Sequence, residues 1–424
     1  MGEDSKLGSK IKAQITRFGS RLTEGMDKVT RRWVSEMLYG IQASKDVKVS
    51  EVARSLQEPI ALIKTENRLC RNLAGEDLTD RINRWTVWEG AAVVDEETVL
   101  AIDLGDVRKT YAKKMEYLGH VRDGSTGEIV PGYWVCEVLA AHPKGERVTP
   151  LYGELYAQKA EDFDSENNQL LKAIGLVSAA TEKKGIWAID RGGDRRKIII
   201  PLLDGQLQFV IRQDGDRHIL LPRGGKRSVA EAARWCRTPF EKVVEVEREG
   251  HVEKKHLKLG SLPVRLPERP DVQLWLVVIR GLAAHPILLL TDVPPEPGKN
   301  HAEWIADIYL TRWKCEEAYR FMKQSYHLED VRVRSYAALR NTYVLVHAVF
   351  YFVSVVIGTK AKLNLIFKKV CEKAKRFYEI ATFFQYAIAD GIHRLLFASR
   401  TGPHETQPPR SDGQLVFDFL KPIL

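Results

Sequence analysis

The chain has 424 residues, enough for roughly two to four domains that each bury a core. With 44% hydrophobic and 29% charged residues it reads as a folded protein, not as a disordered or fibrous one. The net charge of +9 favours an anionic partner, either nucleic acid or a membrane surface. The five cysteines lie far apart with no CxxC pair, which excludes a disulfide framework and a cysteine zinc site and fits a reducing cytoplasm. The first residues lack the apolar core of a signal peptide.

Residues 1–92 read as helical. Lys48 to Leu56 is expected to start at a Ser50 N-cap, with Glu58-Pro59 opening a second helix. On that helix Lys64, Asn67, Arg68 and Arg71 share one face, with Leu62, Leu69 and Leu73 opposite. Such a face suits a helix laid on DNA or a solvated basic surface. From Trp85 the texture turns to strands, at Thr98 to Asp103, Gly132 to Leu139, Gly185 to Asp190 and Leu207 to Arg212, with a helix over Asp164 to Lys183. This order implies an α/β layer spanning 93–213.

Residues 214–283 alternate in short segments with turn signals and read as a β-rich insertion. Pro286 to Thr291 returns as a core strand within 284–345, followed by a Pro/Gly loop and a helix from Tyr309 to Lys323. Tyr343 to Gly358 is apolar, but at about 16 residues it falls short of the ~20 that span a bilayer, so a buried core helix and no membrane partner are expected. The remainder, 346–424, reads as a helical and basic C-terminal region, with Lys360, Lys362, Lys368, Lys369, Lys373, Lys375 and Arg376 opposed by Glu372.

Two apolar runs end on an aspartate, Asp103 in VLAID and Asp190 in IWAID. A carboxylate at a buried strand end is costly unless paired, hydrogen-bonded or bound to a cation. Asp106 and Asp194 follow closely and are alternatives. In YLTRWKCEEAYRFMK, the residues Tyr309, Arg312, Glu316 and Lys323 fall within an arc of about 60° on a continuous helix, with Arg320 near the same stripe and Glu317 about 100° away. Ordinary i, i+4 pairing explains Arg312 with Glu316 but not the alignment of Tyr309 and Lys323. If Asp103, Asp190 and Glu316 converge, each pair ~4 Å apart repels by about 4 kcal/mol at an effective dielectric of 20. Cations would then be required, and all-oxygen ligands suit Mg2+ or Mn2+. Such a site supports two-metal phosphoryl transfer, with the basic and tyrosine side chains as donors to DNA phosphates.

The helix motif Tyr-x2-Arg-x3-Glu-x6-Lys, together with AIDLGDVRKTYAKKMEYLGHVRDGSTG, WAIDRGGDRR, FVIR and LLLTD, resembles the DDE transposases of bacterial insertion sequences, in the subgroup named for that helix. The resemblance spans about residues 95–345. It implies an RNase H-like core interrupted by a β-rich insertion and flanked by helical terminal domains. The N-terminal one would bind DNA through Lys64, Arg68 and Arg71, and the C-terminal one would serve synapsis, dimerisation or DNA contact. Asp103, Asp190 and Glu316 would be the catalytic metal ligands, with Asp106 and Asp194 supporting them, and Tyr309, Arg312, Lys323 and Arg320 would contact DNA. The implied activity is cut-and-paste transposition with two Mg2+ or Mn2+ ions. The implied partners are terminal inverted repeats and target DNA in a homodimeric synaptic complex, at the bacterial nucleoid. A silent, domesticated DNA-binding derivative is the alternative. Some relatives hold a base-receiving tryptophan just before the LLLT strand. Here Ile287 stands there, and Trp275 reads as a core residue.

Overall fold

The computed structural model describes residues 3–124, 126–222, 224–248, 251–357, 385–398 and 402–403. The basic run from Lys360 to Arg376 lies outside them. Five helices open the chain: α1 (Glu3–Leu22), α2 (Lys28–Ser44), α3 (Val49–Leu56), α4 (Leu62–Leu73) and α5 (Thr79–Ala91). Two expected boundaries differ. The N-cap of α3 is Lys48, without a side-chain cap, rather than Ser50. Gln57 then turns left-handed at φ 50°, so α4 begins at Leu62 and not at Pro59. Leu69 and Leu73 are buried as the periodicity requires, whereas Leu62 is exposed beside Ile60 and Ile63.

The sheet follows. Strands β1 (Val99–Arg108), β2 (Gly119–Arg122), β3 (Ile129–Ala141) and β4 (Val148–Tyr156) are joined by antiparallel pairing, β3 carrying β1 on one side and β2 and β4 on the other. Helix α6 (Glu166–Ala180) crosses to β5 (Ile186–Ile189), which runs parallel to β1. Helix α7 (Arg196–Asp204) crosses to β6 (Phe209–Arg212), parallel to β5. The order β4-β3-β1-β5-β6, with β3 antiparallel to β1, is the RNase H-like arrangement. Strands β5 and β6 are uniform apolar runs, as burial on both faces demands.

The inserted segment carries β7 (His218–Leu220), β8 (Lys226–Ser228), α8 (Val229–Trp235), β9 (Phe240–Arg248), β10 (His251–Leu266) and β11 (Arg269–Arg280). It shares the core's sheet: β11 pairs with β12 (Ile287–Thr291), and β12 pairs antiparallel with β6. Trp275 lies edge-on to His301, ring centroids 5.7 Å apart, and Ile287 is buried.

The expected single helix from Tyr309 to Lys323 is two: α9 (His301–Thr311) and α10 (Trp313–Ser325), meeting at Arg312, which caps both. Around the junction the bonds tighten to i, i+3, from Arg312 N–H to Tyr309 and from Cys315 N–H to Arg312. Helix α11 (Tyr336–Tyr351) continues through a π-helical stretch at Phe352–Ile357. The resulting 22-residue helix is longer than the sequence suggested and passes a length test for a membrane span. Its apolar window is 89% buried, against the opening helices, β4 and α12 (Gln385–Ala398).

Candidate active site: an acidic groove bridged by an arginine

Asp103 lies in the middle of β1, opposite Glu137 of β3, and not at the strand end that the apolar run suggested. Its Oδ1 accepts from the Leu104 N–H at 3.0 Å. Tyr319 of α10 is buried against this strand and donates its hydroxyl to the Asp103 carbonyl at 3.2 Å. Gly105 makes the approach possible, since a Cβ there would stand 2.7 Å from the Tyr319 ring. Asp190 directly follows β5 and caps the turn Arg191–Gly193, accepting from the Gly192 N–H at 2.7 Å. Adjacent parallel strands β1 and β5 thus bring both aspartates to one end of the sheet.

Arg312 closes the site. Its guanidinium gives one nitrogen to Asp103 Oδ2 at 3.1 Å and another to Glu316 Oε1 at 2.7 Å. The side chain is 6% exposed, while that of Glu316 is half exposed. Asp103, Asp190, Glu316 and Arg312 line one groove of about 610 Å³ with Asp106, Arg108, Arg122, Trp134, Arg320, Lys323 and Glu329. Burial pushes the Asp103 carboxyl up to about 7; Arg312 opposes the rise, and the charges of Asp190 and Glu316 add to it. Burial works against the Arg312 charge, but Asp103 and Glu316 hold its pKa above the ordinary value.

Among the described residues no three His, Cys, Asp or Glu side chains are gathered closely enough to cage a metal as they stand. Arg312 stands between two of the acids, and Asp190 is engaged by its own turn. The donor chemistry still fits a hard cation. Three carboxylates share the groove with one guanidinium between two of them, an all-oxygen donor set of the kind that hard cations take.

The other expected contacts divide. Lys323 lines the groove, 3.0 Å from Asp106 and 3.1 Å from Glu329. Asp106 is buried there and also accepts from the Gly124 N–H. Asp194 turns away to bind Arg217 at 2.5 Å. Arg320 pairs with Glu317 at the groove edge. Tyr309, expected to touch DNA, is instead 1% exposed; its ring lies beneath the Arg312 guanidinium at 5.7 Å and packs in the core behind β5 and β6 with Ala302, Ile305 and Ala306 of α9. On α4, Lys64 and Arg71 are exposed, whereas Arg68, its side chain 30% exposed, is paired with Glu36 and Glu58.

Trp134 and the arginines Arg108 and Arg122 line the groove without having been expected there. Trp134 faces Asp106 across the β1–β3 ladder, and its indole N–H is buried without a partner. The apolar run GYWVCEVL marks a strand, but only the strand register shows which residue Trp134 meets.

Residues 164–352 match the family model for the transposase DDE domain. That segment contains Asp190, the inserted strands and Glu316; Asp103 lies upstream of it. No curated protein matches the sequence significantly. Among solved structures, the cryo-EM structure of a piggyBac transposase synaptic complex with hairpin DNA is similar at a TM-score of 0.45 and 10% identity, covering 93% of this chain and 80% of that one.

Proposed function

We propose that the protein is a transposase of the bacterial insertion-sequence DDE class, cleaving element ends and joining them to target DNA. The observation that carries this reading is the convergence of Asp103, Asp190 and Glu316 on one groove whose walls bear Arg108, Arg122, Arg312, Arg320 and Lys323. The match of residues 164–352 to the transposase DDE domain supports it. Asp103, Asp190 and Glu316 would hold two Mg2+ or Mn2+ ions. Bound there, these supply activation of a water or 3′-hydroxyl and stabilisation of the leaving oxygen.

The chain's own groups do the rest. Asp103 is fixed in direction by Leu104 N–H and its strand by Tyr319, so the carboxylate is presented without loop motion. Asp190 is held by its turn in the same way. Arg320 and Lys323 offer donors along one wall for the phosphates flanking the cut, and Arg122 along the other. Trp134 gives the groove an apolar lining. The exposed Lys64 and Arg71 on α4 suit backbone contact with the inverted repeats, and a homodimer would pair two ends, in the bacterial cytoplasm at the nucleoid. A hairpin step is left out, because Ile287 is buried and Trp275 is engaged with His301.

One observation favours a second reading. Arg312 between Asp103 and Glu316 also suits a silent protein that binds DNA without cutting it. A single experiment separates them: incubation with Mg2+ and DNA bearing the element's terminal repeats. The transposase reading expects nicking and joining, lost in Glu316→Gln with end binding retained. Binding without cleavage by the wild type would sink it in favour of the silent form.

A further inference from the structure

Arg312 is joined to the acids in an unusual way. A guanidinium reaches its strongest geometry as a fork on one carboxylate, with two parallel bonds. Here the fork is split, one nitrogen to Asp103 and one to Glu316. The third donor, Nε, is buried and has no partner. An unmet buried donor is costly, so the arrangement is satisfied only in part. The bridge also counters two acids with one charge, while the nearby Lys323 is taken up by Asp106 and Glu329.

The backbone around Arg312 is suited to a change of partners. Arg312 is the junction residue between α9 and α10 and belongs to neither helix. Re-aiming its side chain involves no backbone hydrogen bond of either helix. Beneath it the Tyr309 ring is a flat platform, along which a guanidinium can shift while keeping its cation–π contact. The buried, unpartnered Tyr309 hydroxyl adds no bond that would tie the platform to substrate.

We infer that Arg312 is an exchangeable cation: it clamps Asp103 to Glu316 in the metal-free chain, and passes to a DNA phosphate when a divalent ion takes over the two acids. This rests on the reading of those acids as metal ligands. Split between two carboxylates, the guanidinium is the competitor that a metal must displace. Two oxygens of one phosphate would take Nε and one terminal nitrogen, giving the fork that the acids do not provide. Metal binding and DNA binding then favour one another through a single side chain, as linkage requires. Tyr309 acts in this scheme as a positioning residue through Arg312, without touching DNA.

The test uses the full-length protein and Mn2+ alone, with bound ion measured by electron paramagnetic resonance. Arg312→Gln should bind Mn2+ about ten-fold more tightly than wild type, and Arg312→Lys, which keeps the charge, should stay near wild type. Asp103→Asn should lose the site. Adding a blunt DNA duplex should raise the wild-type affinity towards that of Arg312→Gln and leave Arg312→Gln unchanged. Equal or weaker Mn2+ binding by Arg312→Gln, with Asp103→Asn still losing the site, overturns the exchange and spares the ligand assignment. Undiminished binding by Asp103→Asn removes the ligand assignment itself. A wild-type affinity indifferent to duplex overturns the transfer to phosphate. A thermal melt of each variant identifies any that fails to fold, and Arg312→Met, which removes the charge and keeps the bulk, then replaces Arg312→Gln with the same expectations.

Discussion

Arg312 meets Asp103 across 209 positions of sequence, Nη1 to Oδ2 at 3.1 Å, and by that one contact joins the helix pair α9–α10 to the middle of the first core strand. The contact sets a charge at the helix junction against an acid in mid-strand.

Lys323 lines the groove while it is balanced by Asp106 and Glu329. Lys323→Ala should therefore have two effects. Buried Asp106 loses its main counter-charge, lowering the melting temperature by the equivalent of about 1–3 kcal/mol. Cleavage should weaken, with the salt dependence of DNA binding reduced by about one unit of slope. Electrophoretic binding at several salt concentrations checks the second effect; an unchanged slope would confine Lys323 to a structural role.

The basic residues of α4 should separate by function. Arg68 serves the buried carboxylates of Glu36 and Glu58, which Arg32 also reaches. Arg68→Ala is expected to cost about 2–3 kcal/mol, less than the ~3–5 of a fully broken buried pair because Arg32 remains. Lys64→Ala and Arg71→Ala should leave stability unchanged and weaken DNA binding. Denaturant titration alongside a DNA-binding assay distinguishes the two groups.

Burial pushes the Asp292 carboxyl up to about 6, while the Phe209 N–H donates to it at 2.8 Å. A carboxyl raised in the folded state adds stability below its unfolded value and loses it as pH rises through about 6. Asp292→Asn keeps an oxygen for Phe209 and has no charge to bury. It should be more stable than wild type near pH 7, by up to ~3 kcal/mol for a shift of about two units, and the gap should close by about pH 4. Melting curves of both proteins across that range provide the check; a gap independent of pH would contradict the burial argument.

Gly105→Ala places a methyl 2.7 Å from the Tyr319 ring. The ring cannot yield without losing its bond to the Asp103 carbonyl, so the expected cost is about 1–3 kcal/mol with a larger fractional loss of cleavage than of DNA binding. Equal losses in both would show that the strand, and not the acid's placement, had been disturbed.

Much of this was legible in the sequence for physical reasons. The apolar runs at β1, β3, β5, β6 and β12 stood out because core strands are uniformly apolar, and α6 because its ends carry clear signals, Ser165 among them. Strand β4 did not stand out, since the polar letters of VTPLYGELY are buried only through long-range partners: Glu154, for example, meets Lys172 and Arg340. The alignment of Tyr309 with Glu316 assumed a continuous helix. Helix α9 ends before Arg312, and Tyr309 belongs to its buried stripe with Ala302, Ile305 and Ala306. Asp103 was found by its apolar neighbours although it sits mid-strand, while Trp134 was invisible without the register of β3.

The pairing of β12 with β6 has a mechanical meaning. From β5, which delivers Asp190, the ladder runs unbroken through β6 and β12 to the long hairpin of β10 and β11. Only two strand spacings, about 10 Å, separate β5 from β12. Whatever grips the outer hairpin pulls on rows of hydrogen bonds loaded together, with no hinge among them to absorb the movement. The hairpin is thus a lever rooted in the same fabric as the acid, and a load on its tip is felt as strain at Asp190.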